Sequence, residues 1–225
     1  TTGIENNGTL VFKSNATSTG QLNTFPGTIS GSGNVTVERF IPAGDNSKRA
    51  YRFVTSAVST SNSIKMNWQE GANNTSTINL NPNPGYGTHI SGSITGANGF
   101  DTTGSGDSSL FTFDHVGQTW GSVPNTDIHT LDAGAPYRLM VRGDRSTDLT
   151  SNTSVPTNTV LRATGSLRTG SINISSDMAS GADEFSFIGN PYQAIVDYAS
   201  LTRSNLTDFI YVWDASIAGA TGRGG

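Results

Sequence analysis

No cysteine occurs anywhere in the chain. Disulfides, thiolate metal sites and thiol nucleophiles are therefore excluded, and stability must come from the core and its hydrogen bonds. Charge is scarce as well: Asp, Glu, Lys and Arg make up 13% of the 225 residues, with a net charge of −4. A chain so sparsely charged and slightly acidic has no basic stripe to follow a phosphate backbone, which removes nucleic acid from the expected partners. No apolar run reaches the roughly 18 residues of a membrane-spanning helix, so no membrane insertion is expected. Helical periodicity is nearly missing. Only Ala194 to Leu201, with Ile195, Tyr198 and Leu201 at helical spacings, leaves a short helix open as an alternative.

Gly, Ser, Thr and Asn together supply almost half the chain, and hydrophobic residues only 33%, a balance that favours short strands and many turns. Three Trp, ten Phe and six Tyr argue against disorder, because they bring enough apolar area to offset the entropy of ordering. Strict alternation is the main structural signal. In NVTVERFI, Val35, Val37, Arg39 and Ile41 share one face and Thr36, Glu38 and Phe40 the other; AYRFVT, SLFTFDH, PYRLMVR, TVLRATG, FSFIG and DFIYVWD are similar runs bounded by Gly, Pro, Asn or Asp. The expected fold is all-β, a β-sandwich or jelly-roll-like domain over residues 31–225, incomplete at its C-terminal end. Residues 1–30 differ in texture, and read either as a leading edge strand or as the end of a β-solenoid. The abrupt first and last residues suggest a piece of a longer polypeptide.

Catalysis finds no foothold in the pattern. His89, His115 and His129 lack the spacings that place two imidazoles on one metal, no Gly-x-Ser-x-Gly elbow exists, and the glutamates are only Glu5, Glu38, Glu70 and Glu184. No catalytic residue is assigned, and the chain is read as a non-enzyme. Asp101 and Asp107, in an oxygen-rich loop of Gly, Ser and Thr, are the candidates for a calcium ion, the one cofactor considered. Trp68, Tyr86, Trp120 and Tyr192 stand beside turn residues and are candidates for stacking on a glycan; Trp213 reads as strand core. Arg142-Gly143-Asp144 has the composition of an adhesion tripeptide, but directly after a strand it reads as a structural turn in which Gly supplies the unusual backbone angles. Asn190 before Pro191 reads as architectural, and Asn-x-Ser/Thr sequons such as Asn152 are expected by chance.

From Gly31 to Asp214 a succession of phrases, GSGNVTVERFIPAG, RAYRFVTSAV, NWQEG, PGYGTHISGS, NGFD, PYRLMVRGDRS, LRATGSLRTG, FSFIGNPYQAIVDY and FIYVWD, resembles the large surface and secreted proteins of Bacteroidetes, in the region upstream of a C-terminal sorting domain for type IX secretion. The resemblance implies a secreted or outer-surface location and association with adhesin-like or solenoid proteins, and carries over no catalytic residue. Asp101-Thr102-Thr103 is similar to the pattern on which Bacteroidetes attach O-glycans, which makes Thr102 a candidate. The expected function is a non-catalytic structural or adhesion module that displays polar loops to a surface, glycan or protein partner and can self-assemble into an oligomer or filament. The alternative is a carbohydrate-binding module attached to a polysaccharide-degrading enzyme.

Overall fold

Turn-rich polar stretches cut the chain into short strands, and alternating apolar residues decide which faces meet. The computed structural model describes residues 3–23, 25, 27–44, 50–75, 79–151 and 153–214, so the Asn152 sequon lies outside the described residues. The chain opens with β1 (Ile4–Glu5), β2 (Thr9–Phe12), β3 (Ile29–Ser30) and β4 (Asn34–Ile41). β5 (Ala50–Val54), β6 (Val58–Ser59) and helix α1 (Ile64–Trp68) follow. β7 (Ser91–Ser93) pairs in parallel with β8 (Asp101–Thr102), and β9 (Leu110–Asp114) with β10 (Thr119–Ser122) in a hairpin. β11 (Tyr137–Val141) and β12 (Thr159–Leu167) complete two four-stranded sheets, ordered β10-β9-β11-β5 and β2-β4-β12-β6.

Alternation explains why the sheets share a core. Tyr137, Leu139 and Val141 of β11 are buried while Arg138 and Met140 point away; Val35, Val37 and Ile41 of β4 and Leu161 and Ala163 of β12 are likewise buried. Together with Val58, Leu110, Ile64 and Trp68 they form one hydrophobic cluster, and each large apolar side chain so buried contributes about 1.5–3 kcal/mol. The protein is all-β, as alternation predicts. Glu38, on the other face of β4, is buried as well, and its carboxylate accepts the Ser14 amide at 3.0 Å.

Two expected strands are not formed. FSFIG and DFIYVWD lie in residues 168–214, where the only regular pieces are the 3₁₀ turns Ser175–Asp177 and Tyr198–Ser200. This arm is laid over the outer face of the β10-β9-β11-β5 sheet by side chains instead of by ladder bonds. The Phe187 ring meets those of Phe53, Phe113 and Trp120 at 5.0, 4.5 and 4.7 Å. Trp213 Nε1 donates to the Tyr51 carbonyl at 2.8 Å, so Trp213 is an anchor for the arm rather than strand core. Gln118 holds Phe185 at both backbone groups, donating to its carbonyl and accepting from its amide. The helix left open over Ala194 to Leu201 is reduced to the Tyr198–Ser200 turn, capped by Asp197, whose carboxylate accepts the Ala199 amide. The helix that does form, α1, runs directly into the turn at Gln69–Gly71: Ser63 caps it by accepting the Met66 amide, and Asn67 Oδ1 fastens it to β12 by accepting the Thr164 amide at 2.9 Å.

Candidate functional site

Several segments converge on one buried charge cluster. Asp101, at the start of β8, and Arg145, in the turn after β11, are both fully buried. The guanidinium grips the carboxylate with two bonds, Nη2 to Oδ1 at 2.8 Å and Nη1 to Oδ2 at 3.1 Å. The carboxylate also accepts the Asn74 amide at 2.7 Å and the Ile90 amide at 2.9 Å, and Gln69 Nε2 approaches at 3.4 Å. These donors fill the roughly four acceptor sites of a carboxylate. Arg145 reaches further, donating to the carbonyls of Leu80 at 2.9 Å and Thr88 at 3.2 Å. One ion pair therefore ties together the loop before Tyr86, the segment leading to β7, β8 and the turn after β11.

Burial alone pushes the Asp101 carboxyl up, but hydrogen bonds and charge from His89 and Arg145 outweigh it and hold the group down at about 2, against an ordinary 3.8. Arg145 is the stronger of the two partners, because its planar fork makes two well-formed bonds to the carboxylate. His89 Nδ1 lies 3.3 Å from Oδ2, and neither ring nitrogen makes a well-aligned hydrogen bond. A depressed carboxyl contributes stability that is present above its unfolded value and lost as pH falls through its folded one. Stability is therefore expected to decline between about pH 4 and pH 2, and Asp101→Asn to remove about 2 kcal/mol of that decline. Thermal melts of the two proteins from pH 5 to pH 2 measure the difference.

Asp144 closes the next layer. It is buried, accepting the Gly85 amide at 2.7 Å, the Ser146 amide at 3.1 Å and the Thr157 hydroxyl at 2.9 Å. Arg142 donates to the Ser151 carbonyl. Gly143 has φ of +138°, and a Cβ there would stand 2.3 Å from Thr157 Oγ1, so only glycine fits. The Arg-Gly-Asp tripeptide is thus a fastened turn, with its carboxylate turned into the protein and away from any receptor. A third tie joins Arg162 of β12 to Glu70, which takes the guanidinium on both carboxylate oxygens and also accepts from Asn83.

The proposed glycan-stacking residues are not gathered on one surface. Trp68 is 2% exposed, edge-on to Tyr137 at 5.3 Å, in the core. Its position is a correction: α1 rolls the ring inward, and no face is left for a sugar. The Tyr86 ring is covered by the Arg162 guanidinium at 4.4 Å. Trp120 stacks on Phe53 at 5.4 Å and carries the Arg138 guanidinium at 4.7 Å, within the aromatic layer under the arm. Tyr192 is half-buried, its hydroxyl donating to the Gly170 carbonyl, and Asn190 braces the neighbouring turn by accepting the Tyr192 amide and donating to the Ala194 carbonyl.

The calcium pair is split as well: Asp101 is buried and saturated by Arg145 and amides, whereas Asp107 is exposed. Among the described residues no group of three or more His, Asp or Glu could hold a metal ion. Thr102 lies in half-buried β8 and not in an exposed loop; its hydroxyl donates to the Asn74 carbonyl at 2.8 Å, a bond that an O-glycan would break. His115 Nε2 accepts the Phe187 amide and His129 Nδ1 lies 2.7 Å from the Asn125 carbonyl, so the histidines have separate local partners. That Asp101 is the carboxylate which Arg145 holds was not visible in the sequence, because 44 residues separate the two. A shallow depression beside the tripeptide, lined by Pro42, Arg52, Arg142 and Pro156, spans about 130 Å³ including space open to solvent, below the roughly 300 Å³ where small-molecule sites begin. Comparison with known protein families, curated proteins and solved structures finds no match to the chain.

Proposed function

We propose that the chain is a non-catalytic structural or adhesion module of a secreted or outer-surface protein, acting through fixed surfaces instead of a reactive pocket. The observation that carries this reading is the fastening of the polar loops: Asp101, Arg145, Asp144, Glu70 and Arg162 are all engaged in bonds that tie loops to one another and to β8 and β12. Groups so saturated are poor acids, bases or nucleophiles, and good braces. A pinned loop loses little entropy when it meets a partner, which is the physical advantage of rigid display. The resemblance of GSGNVTVERFIPAG, PYRLMVRGDRS and FSFIGNPYQAIVDY to Bacteroidetes surface proteins supports the location.

The arm supplies the contact surface. Phe209, Ile210, Tyr211 and Val212 are all exposed, Tyr211 by 77%, a contiguous apolar run of the kind that marks an interaction site. Its β-type alternation suits strand addition by a second copy. Light scattering of the purified chain from about 1 μM to 1 mM is expected to show mass rising with concentration, and Tyr211→Lys with Val212→Lys to weaken that association more than tenfold. Turnover of glycoside or ester substrates in proportion to protein, abolished by a point substitution, would overturn the non-catalytic reading. Reproducible glycan-array binding abolished by Trp120→Ala would favour the carbohydrate module.

A further inference from the structure

The first two strand pairs are one object. Ile4 faces Ile29 and Glu5 faces Ser30 in parallel, and Thr9, Leu10, Val11 and Phe12 face Asn34, Val35, Thr36 and Val37, also in parallel. Every pair is 25 residues apart, and the offset persists through the intervening turn, where the Ser32 amide bonds to Asn7 Oδ1 across the same 25. Backbone bonds bridge the turns too: Asn6 N–H to the Ser30 carbonyl at 2.7 Å, Gly33 N–H to that of Asn6 at 2.8 Å, and Asn34 N–H to that of Gly8 at 3.1 Å. A Cβ on Gly33 would lie 2.3 Å from the Gly8 carbonyl oxygen, so the stacked turns leave no room for a side chain. Strand, turn and strand are superposed as a unit, which is how successive coils of a parallel solenoid pack.

One side of this stack is closed. β4 pairs with β12 antiparallel, and the parallel run ends there. On the other side β1 and β2 are the outermost strands of their sheets among the described residues. Burial falls off toward that side along each column of side chains. Val35 and Val37 are 3% and 6% exposed, Leu10 and Phe12 opposite them are half-buried, and Ile4, opposite Ile29, is 37% exposed.

We propose that the Ile4–Phe12 edge takes a further coil, parallel and in register, from the same polypeptide upstream of Ile4, so that the domain closes the end of a β-solenoid. The fitting coil has the pattern these two share: an apolar residue, Gly four positions on, then apolar residues at the second and fourth positions after it. A second copy related by a twofold axis would add antiparallel and forfeit the stacked turns, so the parallel register selects a coil connected in the same chain.

Hydrogen exchange of the full-length gene product, compared with the 225-residue chain, tests the assignment. Slowing by at least about tenfold of the outward amides of Ile4–Phe12 in the longer protein is expected when a ladder bond replaces solvent. Equal rates in the two proteins would overturn the proposal. So would protection that appears in the shorter chain only as its concentration rises, because that assigns the edge to a second copy. Gly33→Val in the full-length protein is expected to abolish the protection of Ile4–Phe12 while the β9–β11 amides stay protected; protection unchanged by that substitution would contradict the stacked-coil geometry.

Discussion

Arg145→Met is expected to destabilise the fold by about 3–5 kcal/mol, because it strands the fully buried Asp101 carboxylate without its cation. In a protein of this size the melting temperature should fall by roughly 6–20 °C. The double variant Asp101→Leu with Arg145→Met should recover most of the loss, since removing both charges removes the desolvation cost along with the attraction. Denaturant melts of the two single variants and the double variant measure the coupling, and a coupling below about 0.5 kcal/mol would mean that the pair does not act as a unit. What apolar replacement cannot restore is loop position. Arg145 also holds the carbonyls of Leu80 and Thr88, and these would lose their donor even in a stable double variant.

Trp68→Ala is the second large effect, about 3–5 kcal/mol, because the ring fills the core between α1 and Tyr137. Burial also pushes the Tyr137 hydroxyl up to about 12, so the partner ring stays neutral. Trp68→Phe keeps the apolar contact and should cost less than half as much. A sugar-stacking tryptophan behaves in the opposite way: its removal abolishes glycan binding at unchanged melting temperature. Unfolding followed by tryptophan fluorescence or calorimetry separates the two. A Trp68→Ala protein as stable as the parent would refute its place in the core.

Much of the fold was legible because alternation is a direct record of burial on a sheet. Five of the runs read as strands, including NVTVERFI and PYRLMVR, are strands with Val35, Val37, Leu139 and Val141 inside. FSFIG and DFIYVWD carry the same pattern without forming a ladder; alternation records a preference for extended backbone and says nothing about whether a neighbouring edge exists. Their aromatics dock on the sheet through Phe187 and Trp213 instead. Helix α1 was hidden because five residues are too few to show a period, although Ser63 at its N-cap was a readable start signal. The coil stack was written in the sequence as Ile4-to-Phe12 against Ile29-to-Val37, but a repeat of two is visible only once the register is known. At the site, the tripeptide could be read as a turn from its glycine. The partner of Arg145 could not, since Asp101 is 44 residues away and is brought to it by tertiary packing that no local spacing encodes.

Rigid display is tested most directly by backbone ¹⁵N relaxation across Gly85 to Ile90, Asp101 to Thr103 and Gly143 to Thr147, the segments fastened by Asp101, Arg145 and Asp144. Order parameters near about 0.85, equal to those of β11 and β12, are the expected result. Values below about 0.6 in these segments while the strands stay rigid would contradict it.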